Sequence, residues 1–562
     1  MARSGGSAGF SPQQKNLWVG LGILTLVALA LLAHHLWAYV GHFGFDDVHY
    51  ARLSQQFSEG VFHTSGDHYT FRWGLIWLNG LVYKAFGMGD HSSALVPMAA
   101  TLLTVWWVWA MSGSLSLPAR AFAMAFAALS QWVFFYSDKI MPDILVMFAT
   151  TAAIASIWKH RFGRWQGKPL RSALALAASL TFCFLCKETV LLTLPLFGWL
   201  LLADVWQGKR RRFWGWAAVF GLASAVLYFS TIYALTGDVL GRVRAIAANS
   251  YFNLCSYDQL PVEHLLRRVG HELWRVFFNT GVAVGWVFLL PMLWRKDWKN
   301  LLRGSTERDF GLLCGVGLLL LSNFMSTSPT AYVPLCPDIR HYLFVVPFTG
   351  LAAAVGLSDF VEKQIAARHW AVLGLAVLAA WLAWAFEPEQ FKLYGSLAAV
   401  VGLVFLSKLL KTKPPRLAAW GLFGMILLLK PAQVMRSAQT SNYPDQKRLV
   451  RALFSPDRAP RNLVVLSNKV EKNLDEYFLH FDTTGVRFLD FKQVSPTSIA
   501  AADSVALIIN GTTAWLSGMD WEDMPFWVRQ PDASRRLAAT ARGIEVYGLH
   551  KADLLQRLAA GK

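Results

Sequence analysis

Two adjacent carboxylates, Asp46 and Asp47, follow almost directly on the first long apolar run of the chain. Arg72 lies further along the same polar stretch. Later apolar runs are separated by short polar breaks that carry Lys139 and Asp143, then Lys187 and Glu188. A fourth cluster, Arg340-His341-Tyr342, stands at the mouth of another run. A positioned carboxylate can take the proton of an attacking hydroxyl. Guanidinium and ammonium groups can bind a phosphate and neutralise the charge it gains on departure. These residue types could therefore perform group transfer from a phosphate-linked donor, provided that one site collects them.

Each residue also has a plainer reading. Asp46 and Asp47 could cap a helix, where the dipole suits a carboxylate. Asp143 sits one residue into the apolar run that follows Pro142 and could be another cap, although an acid at membrane depth is costly and marks function. Lys187 and Glu188 could be a local ion pair, and Arg340 could snorkel to an interface. Cys255 and Cys336 both fall in segments assigned to the outer side, and a bridge between them is left open; Cys183 and Cys186 read as core thiols.

The elements that must position these groups are membrane spans. The chain has 562 residues, of which 55% are hydrophobic and only 16% charged, against about a quarter charged in soluble domains. This excludes disorder, collagen, coiled coil and a small disulfide scaffold. Thirteen apolar runs of spanning length or slightly less occur near 17–38, 93–111, 119–136, 142–158, 172–186, 189–204, 213–235, 273–294, 310–327, 341–358, 370–386, 391–407 and 417–434. With the N-terminus inside, the inner loops carry 23 Lys and Arg and the short outer loops 10, the expected bias. The net charge of +18 is thus topological, and no nucleic-acid partner is expected. The first run is too long for a signal peptide core, and no small-residue cleavage site precedes Trp37 and Tyr39.

Thirteen spans put the C-terminus outside. The expected architecture is an all-α polytopic membrane domain over 1–434, with a first outer loop at 39–92 and a small α/β extracytoplasmic domain over 435–562. The loop reads as two amphipathic interfacial helices, the first with Val48, Ala51, Leu53 and Phe57 on one side. Past residue 435, strands are expected near 463–466, 486–491, 505–509 and 545–549, with helices at 471–480 and 534–542, so a partly parallel sheet. No glycine-rich phosphate loop follows the first strand.

The motifs resemble those of the GT-C glycosyltransferases, nearest the protein O-mannosyltransferases and the aminoarabinose transferases that modify lipid A. Asp46-Asp47 with the following His49-Tyr50-Ala51-Arg52-Leu53 resembles the acidic motif of their first outer loop. Arg72-Trp73, then Lys84-Ala85-Phe86-Gly87, resembles a stretch written K-P-P…W-L…K-L-F-G. Lys139…Asp143 resembles R…D before the fourth span, Lys187-Glu188 a K-G step before the sixth, and Arg340-His341-Tyr342-Leu343…Pro347 the motif R-Y-L-L-P…P. The pattern covers 40–350. Arg72-Trp73-Gly74 replaces Lys-Pro-Pro, and Lys139 replaces Arg, which changes phosphate geometry.

The resemblance implies an inverting transfer of a sugar from polyprenyl phosphate to a lipid, glycan or protein acceptor outside the membrane, in a bacterial inner membrane. It implies Asp46 as general base, with Asp47 and Asp143 beside it. Arg72, Lys187, Arg340 and His341 would bind the donor phosphate, supported by Lys139, Glu188 and Tyr342. Asp46 and Asp143 would offer hard oxygen ligands to Mg²⁺ or Mn²⁺, though two carboxylates do not specify a metal site. The chain is expected to act as a monomer. The rival reading is a lipid or lipid-linked-sugar flippase, which needs a polar path through the bilayer.

Overall fold

Every apolar run singled out above is helical in the computed structural model, which describes residues 12–248, 257, 259–294, 297–326, 332–412, 416–438, 441–519, 522, 524–529 and 531–559. Nine of the described helices are long and apolar enough to cross a bilayer, among them Asp90–Met111, Pro169–Cys186, Arg211–Thr236 and Ala367–Phe386. Four expected spans are built differently. The third breaks at Ser130 into Leu117–Leu129 and Gln131–Tyr136. The eighth is a pair, Val262–Asn279 and Ala283–Leu293, bent by 103°. Pro142–Arg161 and Glu307–Phe324 are continuous, but charged residues at their ends make them less apolar.

Burial sorts the helices by role. Ile339–Glu362 is almost wholly buried and forms the axis of the bundle, whereas Arg211–Thr236 turns Leu222, Val226 and Leu227 outward. In water an exposed apolar stripe of that length would be a liability; in a bilayer it is the lipid-facing side. The protein is a multi-pass membrane protein.

The first loop holds the two expected helices, Asp46–Glu59 and Trp73–Phe86, joined through a short turn of helix at His68–Phe71. Val48, Ala51 and Leu53 are buried and Phe57 half-buried.

The C-terminal part forms one five-stranded sheet: β1 Leu463–Ser467, β2 Val486–Asp490, β3 Ser504–Asn510, β4 Arg536–Ala539 and β5 Ile544–Leu549. The strand order is β2-β1-β3-β5-β4. β1 runs parallel to β2 and β3, and β5 runs antiparallel to β3 and β4. The helix expected at 534–542 is replaced by β4. Its local pattern is helix-compatible, but pairing with β5 satisfies its backbone as an edge strand, and tertiary context overrides propensity.

Helix Lys469–Phe478 joins this sheet to the bundle, packing against helix Asp46–Glu59. It also buries two acids one turn apart, Glu471 and Asp475. Glu471 Oε2 accepts from Asn510 at 2.9 Å and from Thr513 at 2.7 Å, and Asp475 Oδ1 faces Gln446 at 3.4 Å. Glu471 Oε1 and Asp475 Oδ2 have no partner among the described residues.

Cys183, Cys186 and Cys314 are buried free thiols, and Cys336 is disulfide-bonded. Cys255 lies outside the described residues.

Candidate active site

The first loop delivers Asp46. After helix Pro12–Trp37 the chain turns at Gly41 and Gly44, both at positive φ, and enters helix Asp46–Glu59. The loop there is so tightly packed that a Cβ on Gly41 would run into the Tyr443 ring, and one on Gly44 would meet the Val470 carbonyl at 2.8 Å.

Both acids sit in the first helical turn, yet they serve different partners. Asp47 is fully buried. Its Oδ2 accepts from the Phe43 amide at 2.5 Å and from His42 Nδ1 at 3.2 Å, and its Oδ1 from the Phe45 amide at 3.1 Å. Burial pushes its pKa up, but the His42 and amide contacts outweigh that and hold it below the usual carboxylate range. Asp47 is therefore committed to the loop itself, not to a substrate. Asp46 keeps 30% of its side chain open. Its Oδ1 accepts from the Tyr69 hydroxyl at 2.8 Å, and its Oδ2 lies 3.5 Å from Arg340 Nη1. Neither acid is the N-cap; that position is Phe45.

The cations arrive from later segments. Asp338 accepts from the Arg340 amide at 3.1 Å and pairs with its Nε at 2.9 Å, which fixes the side chain at the start of the axial helix. Lys187 breaks the chain between two spans, in extended conformation at the end of Pro169–Cys186. Its ammonium donates to Asp143 Oδ1 at 2.6 Å and to His341 Nδ1 at 2.9 Å. An ammonium can only donate, so His341 Nδ1 accepts and its Nε2 is left to carry the ring proton. Burial pushes the Lys187 pKa down; Asp143 opposes that shift, and Arg72 and Arg340 add to it. The three cations thus share one electrostatic neighbourhood.

Arg72 is nearly buried. It hydrogen-bonds the Tyr50 hydroxyl, lies over the Tyr50 and Tyr69 rings at 5.6 and 5.2 Å, and reaches Glu188 at 3.8 Å. Burial works against its charge, but Tyr50 and Glu188 more than compensate, so its pKa is raised. Glu188 is also 3.5 Å from Arg242. Asp46, Arg72, Asp143, Lys187, Glu188, Arg340 and His341 therefore form one linked cluster.

Two residues fall elsewhere. Lys139 is fully buried under the Tyr39 ring at 4.3 Å, and its ammonium is committed to Asp138. That acid also faces His35 at 3.2 Å and His34 at 3.6 Å. Asp143 takes Lys187 in its place. Tyr342 is buried, with its hydroxyl on the Leu335 carbonyl at 3.2 Å and near Arg268 at 3.4 Å, where it fastens the preceding segment.

The sequence reading gave no role to Tyr69, Tyr50, Asp338 or Arg242. Tyr69 and Asp338 had a usable signal, since each lies within three residues of a cation already singled out. Arg242 had none, because its segment was read for topology alone.

A divalent ion fits this donor set poorly. Asp143 already holds the Lys187 ammonium, and Asp46 faces Arg340. Among the described residues, no three His, Cys, Asp or Glu side chains group as metal ligands.

Comparison with known proteins bears on the fold. No family model matches the chain, and no curated protein matches it in sequence. Solved structures match it in fold. ArnT from Cupriavidus metallidurans in the apo state superposes with a TM-score of 0.57 at 12% identity, over 96% of this chain and 99% of that one. ArnT bound to undecaprenyl phosphate superposes with a TM-score of 0.54 at 13% identity, over 95% and 97%. The chain has the GT-C fold. The GT-C likeness extends over nearly the full length of both chains, helical bundle and sheet alike. The apo Archaeoglobus fulgidus oligosaccharyltransferase aligns less closely, with a TM-score of 0.48 at 12% identity, over 87% of this chain and 69% of its own.

Proposed function

We propose that the protein is an integral-membrane glycosyltransferase. It moves a sugar from a polyprenyl-phosphate donor to an acceptor on the side of the membrane that carries the C-terminal sheet. The observation that carries the reading is the approach of Asp46 to Arg340 at 3.5 Å, a proton acceptor beside a phosphate-binding group, within a GT-C fold.

The acceptor hydroxyl oxygen forms a bond to the anomeric carbon from the face opposite the donor phosphate, which inverts that carbon. Its proton passes to Asp46. The bond from the anomeric carbon to the phosphate oxygen breaks, and its electron pair leaves with the polyprenyl phosphate. Arg340 and Lys187 meet the growing charge, and His341 donates from Nε2. Cations already in place need little reorganisation as that charge develops. Arg72 and Glu188 flank them, and Asp143 holds the Lys187 ammonium in place. Asp47 orients the loop and is not the base. Where the acceptor group is itself an ionised phosphate, Asp46 has no proton to take and instead orients it. No step runs through a metal ion.

Two observations support a lipid donor: the bundle presents long apolar faces to lipid, and the ArnT structure of this fold holds undecaprenyl phosphate. The sidedness follows the Lys and Arg bias, with the N-terminus in the cytoplasm and the sheet in a bacterial periplasm.

The test is transfer by purified protein from defined polyprenyl-phosphate sugars to envelope lipid, glycan and peptide acceptors. Transfer that vanishes in Asp46→Asn, with folding and expression intact, supports the reading. Near-normal turnover in that variant removes Asp46 as base. Movement of donor across a vesicle membrane without transfer supports the flippase instead.

A further inference from the structure

The loop that aims Asp46 is held from outside the membrane bundle. Helix Lys469–Phe478 presents Asn473, Glu476 and Tyr477 on one face, as spacings of three and four residues require. Asn473 donates to the Gly44 carbonyl at 2.7 Å. Glu476 pairs with Arg52, on the helix that begins with Asp46. The Tyr477 hydroxyl lies 3.0 Å from His42 Nε2, 3.1 Å from Asp90 Oδ1 and 3.2 Å from Ser93 Oγ.

These contacts form a short chain to the site. Tyr477 fixes one nitrogen of His42, and the other nitrogen meets Asp47. Asp47 also holds the Phe43 and Phe45 amides and is the backbone neighbour of Asp46. The same end of the sheet pins the first turn of the next membrane helix, since Asp90 also takes Tyr443 at 2.9 Å and Lys447 at 2.6 Å. The two anchors differ: among the described contacts, Tyr477 touches both Asp90 and the loop through His42, whereas the Tyr443 hydroxyl bonds Asp90 alone.

We propose that Tyr477 is a positioning residue for Asp46, so that the extramembrane sheet region completes the active site through the line Tyr477–His42–Asp47. This rests on the glycosyltransferase reading above. It explains why a phenol buried to 2% exposure, with three polar partners, sits at a junction that apolar packing alone would fill. Tyr477→Phe keeps the ring, which packs against His42 at 4.5 Å between centroids, and removes only the hydroxyl.

Two measurements on the full-length protein in lipid nanodiscs test it. Hydrogen exchange reads the loop without any need for activity. Amides 43–48 should exchange at least severalfold faster in Tyr477→Phe than in wild type, and unchanged exchange overturns the proposal. Kinetics read the role. Turnover should fall by about ten- to a hundredfold, as expected for a misaimed group, with the KM for donor within about twofold, because the phosphate-binding cations are untouched. Tyr443→Phe, which loosens the Asp90 anchor but leaves His42 bonded, should retain near wild-type turnover. His42→Gln should lose as much as Tyr477→Phe, and the double variant no more than either, since both break one line. Equal losses in Tyr443→Phe and Tyr477→Phe would mean a general anchor and would overturn the positioning role. A wild type that transfers nothing sinks the glycosyltransferase reading and this role with it, whereas an active wild type with an active Tyr477→Phe sinks this role alone.

Discussion

Arg340 Nη1 lies 3.5 Å from Asp46 Oδ2, although 294 residues separate them in the chain. A half-open guanidinium that is shared between Asp46 and Asp338 is held in place before any ligand arrives. It also has charge to give, because an incoming phosphate can compete for it with partially solvated carboxylates. Solvent screens a partly open pair of this kind, so its contribution stays near the 0–1 kcal/mol of surface pairs, at about 1 kcal/mol. Removing Arg340 should therefore affect ligand binding far more than folding.

Arg340→Ala is expected to weaken binding of undecaprenyl phosphate by about tenfold or more, corresponding to roughly 1.4 kcal/mol or more, while the melting temperature stays near wild type. Arg340→Lys should recover only part of this, because an ammonium is a point charge and cannot grip two oxygens in one plane. Titration with the lipid phosphate in nanodiscs measures both. Unchanged affinity in the alanine variant would take Arg340 out of the phosphate site.

Lys187 and Lys139 should behave differently, although the sequence reading put both at the donor site, Lys187 on the phosphate and Lys139 in support. Each ammonium is buried against an acid, and removing one member of a buried pair costs about 3–5 kcal/mol. Lys187→Met and Lys139→Met should both unfold at lower temperature. In the folded fraction, Lys187→Met should also lose donor affinity, while Lys139→Met should keep it. A combined Asp143→Asn/Lys187→Met variant should regain stability without regaining affinity. Donor affinity lost equally in both single variants would restore Lys139 to the site.

The contrast shows what the sequence could and could not reveal. Residue type and distance from a span were enough to single out Asp46, Lys187 and Arg340, because a charge at the edge of an apolar run is placed by the membrane itself; Arg72, in mid-loop, was singled out by its motif. Lys139 and Asp143 were read together as a motif resembling R…D, but helix Pro142–Arg161 begins only at Pro142. Lys139 therefore lies in the preceding turn, free to reach its own neighbour Asp138. Span lengths were legible from hydropathy, whereas the 103° bend in the eighth span is set by packing between helices. β4 was illegible for the same reason: its partner β5 decides its conformation. Tyr477 gave no sign at all, since its meaning lies in residues more than 380 positions away.

Chelation tests how charge is balanced at the site. Lys187 already sits on Asp143, and Arg340 faces Asp46. Transfer is therefore expected to survive treatment with EDTA, and added Mg²⁺ or Mn²⁺ should change the rate by less than about twofold. Activity that EDTA abolishes and Mg²⁺ restores would instead place an ion between Asp46 and Asp143, with Lys187 displaced.

The acid pair in helix Lys469–Phe478 makes stability depend on pH. Burial is the first cause that raises the Glu471 pKa, to about 7, and the hydrogen bonds from Thr513, Asn510 and Gln446 only partly oppose it. Asp475 is raised too, by burial and then by Glu471. Its Oδ2 and Glu471 Oε1 lack partners among the described residues, so neither buried charge is fully compensated. A pKa higher in the folded than in the unfolded state means that the folded state holds its proton more tightly. The stabilisation is thus complete below about pH 4.5, the ordinary Glu value, and is lost as pH rises through about 7. Its size is on the order of 3–4 kcal/mol, from a shift of that extent at about 1.4 kcal/mol per unit. The melting temperature of the wild type should fall between pH 5 and pH 8 relative to that of Glu471→Gln, which carries a permanent neutral mimic of the protonated acid. Because Tyr477 and Asn473 lie on the same helix, exchange of amides 43–48 should quicken over the same range in wild type and stay flat in the variant. Parallel melting curves for the two proteins across that range would show that the pair holds no proton in the folded state.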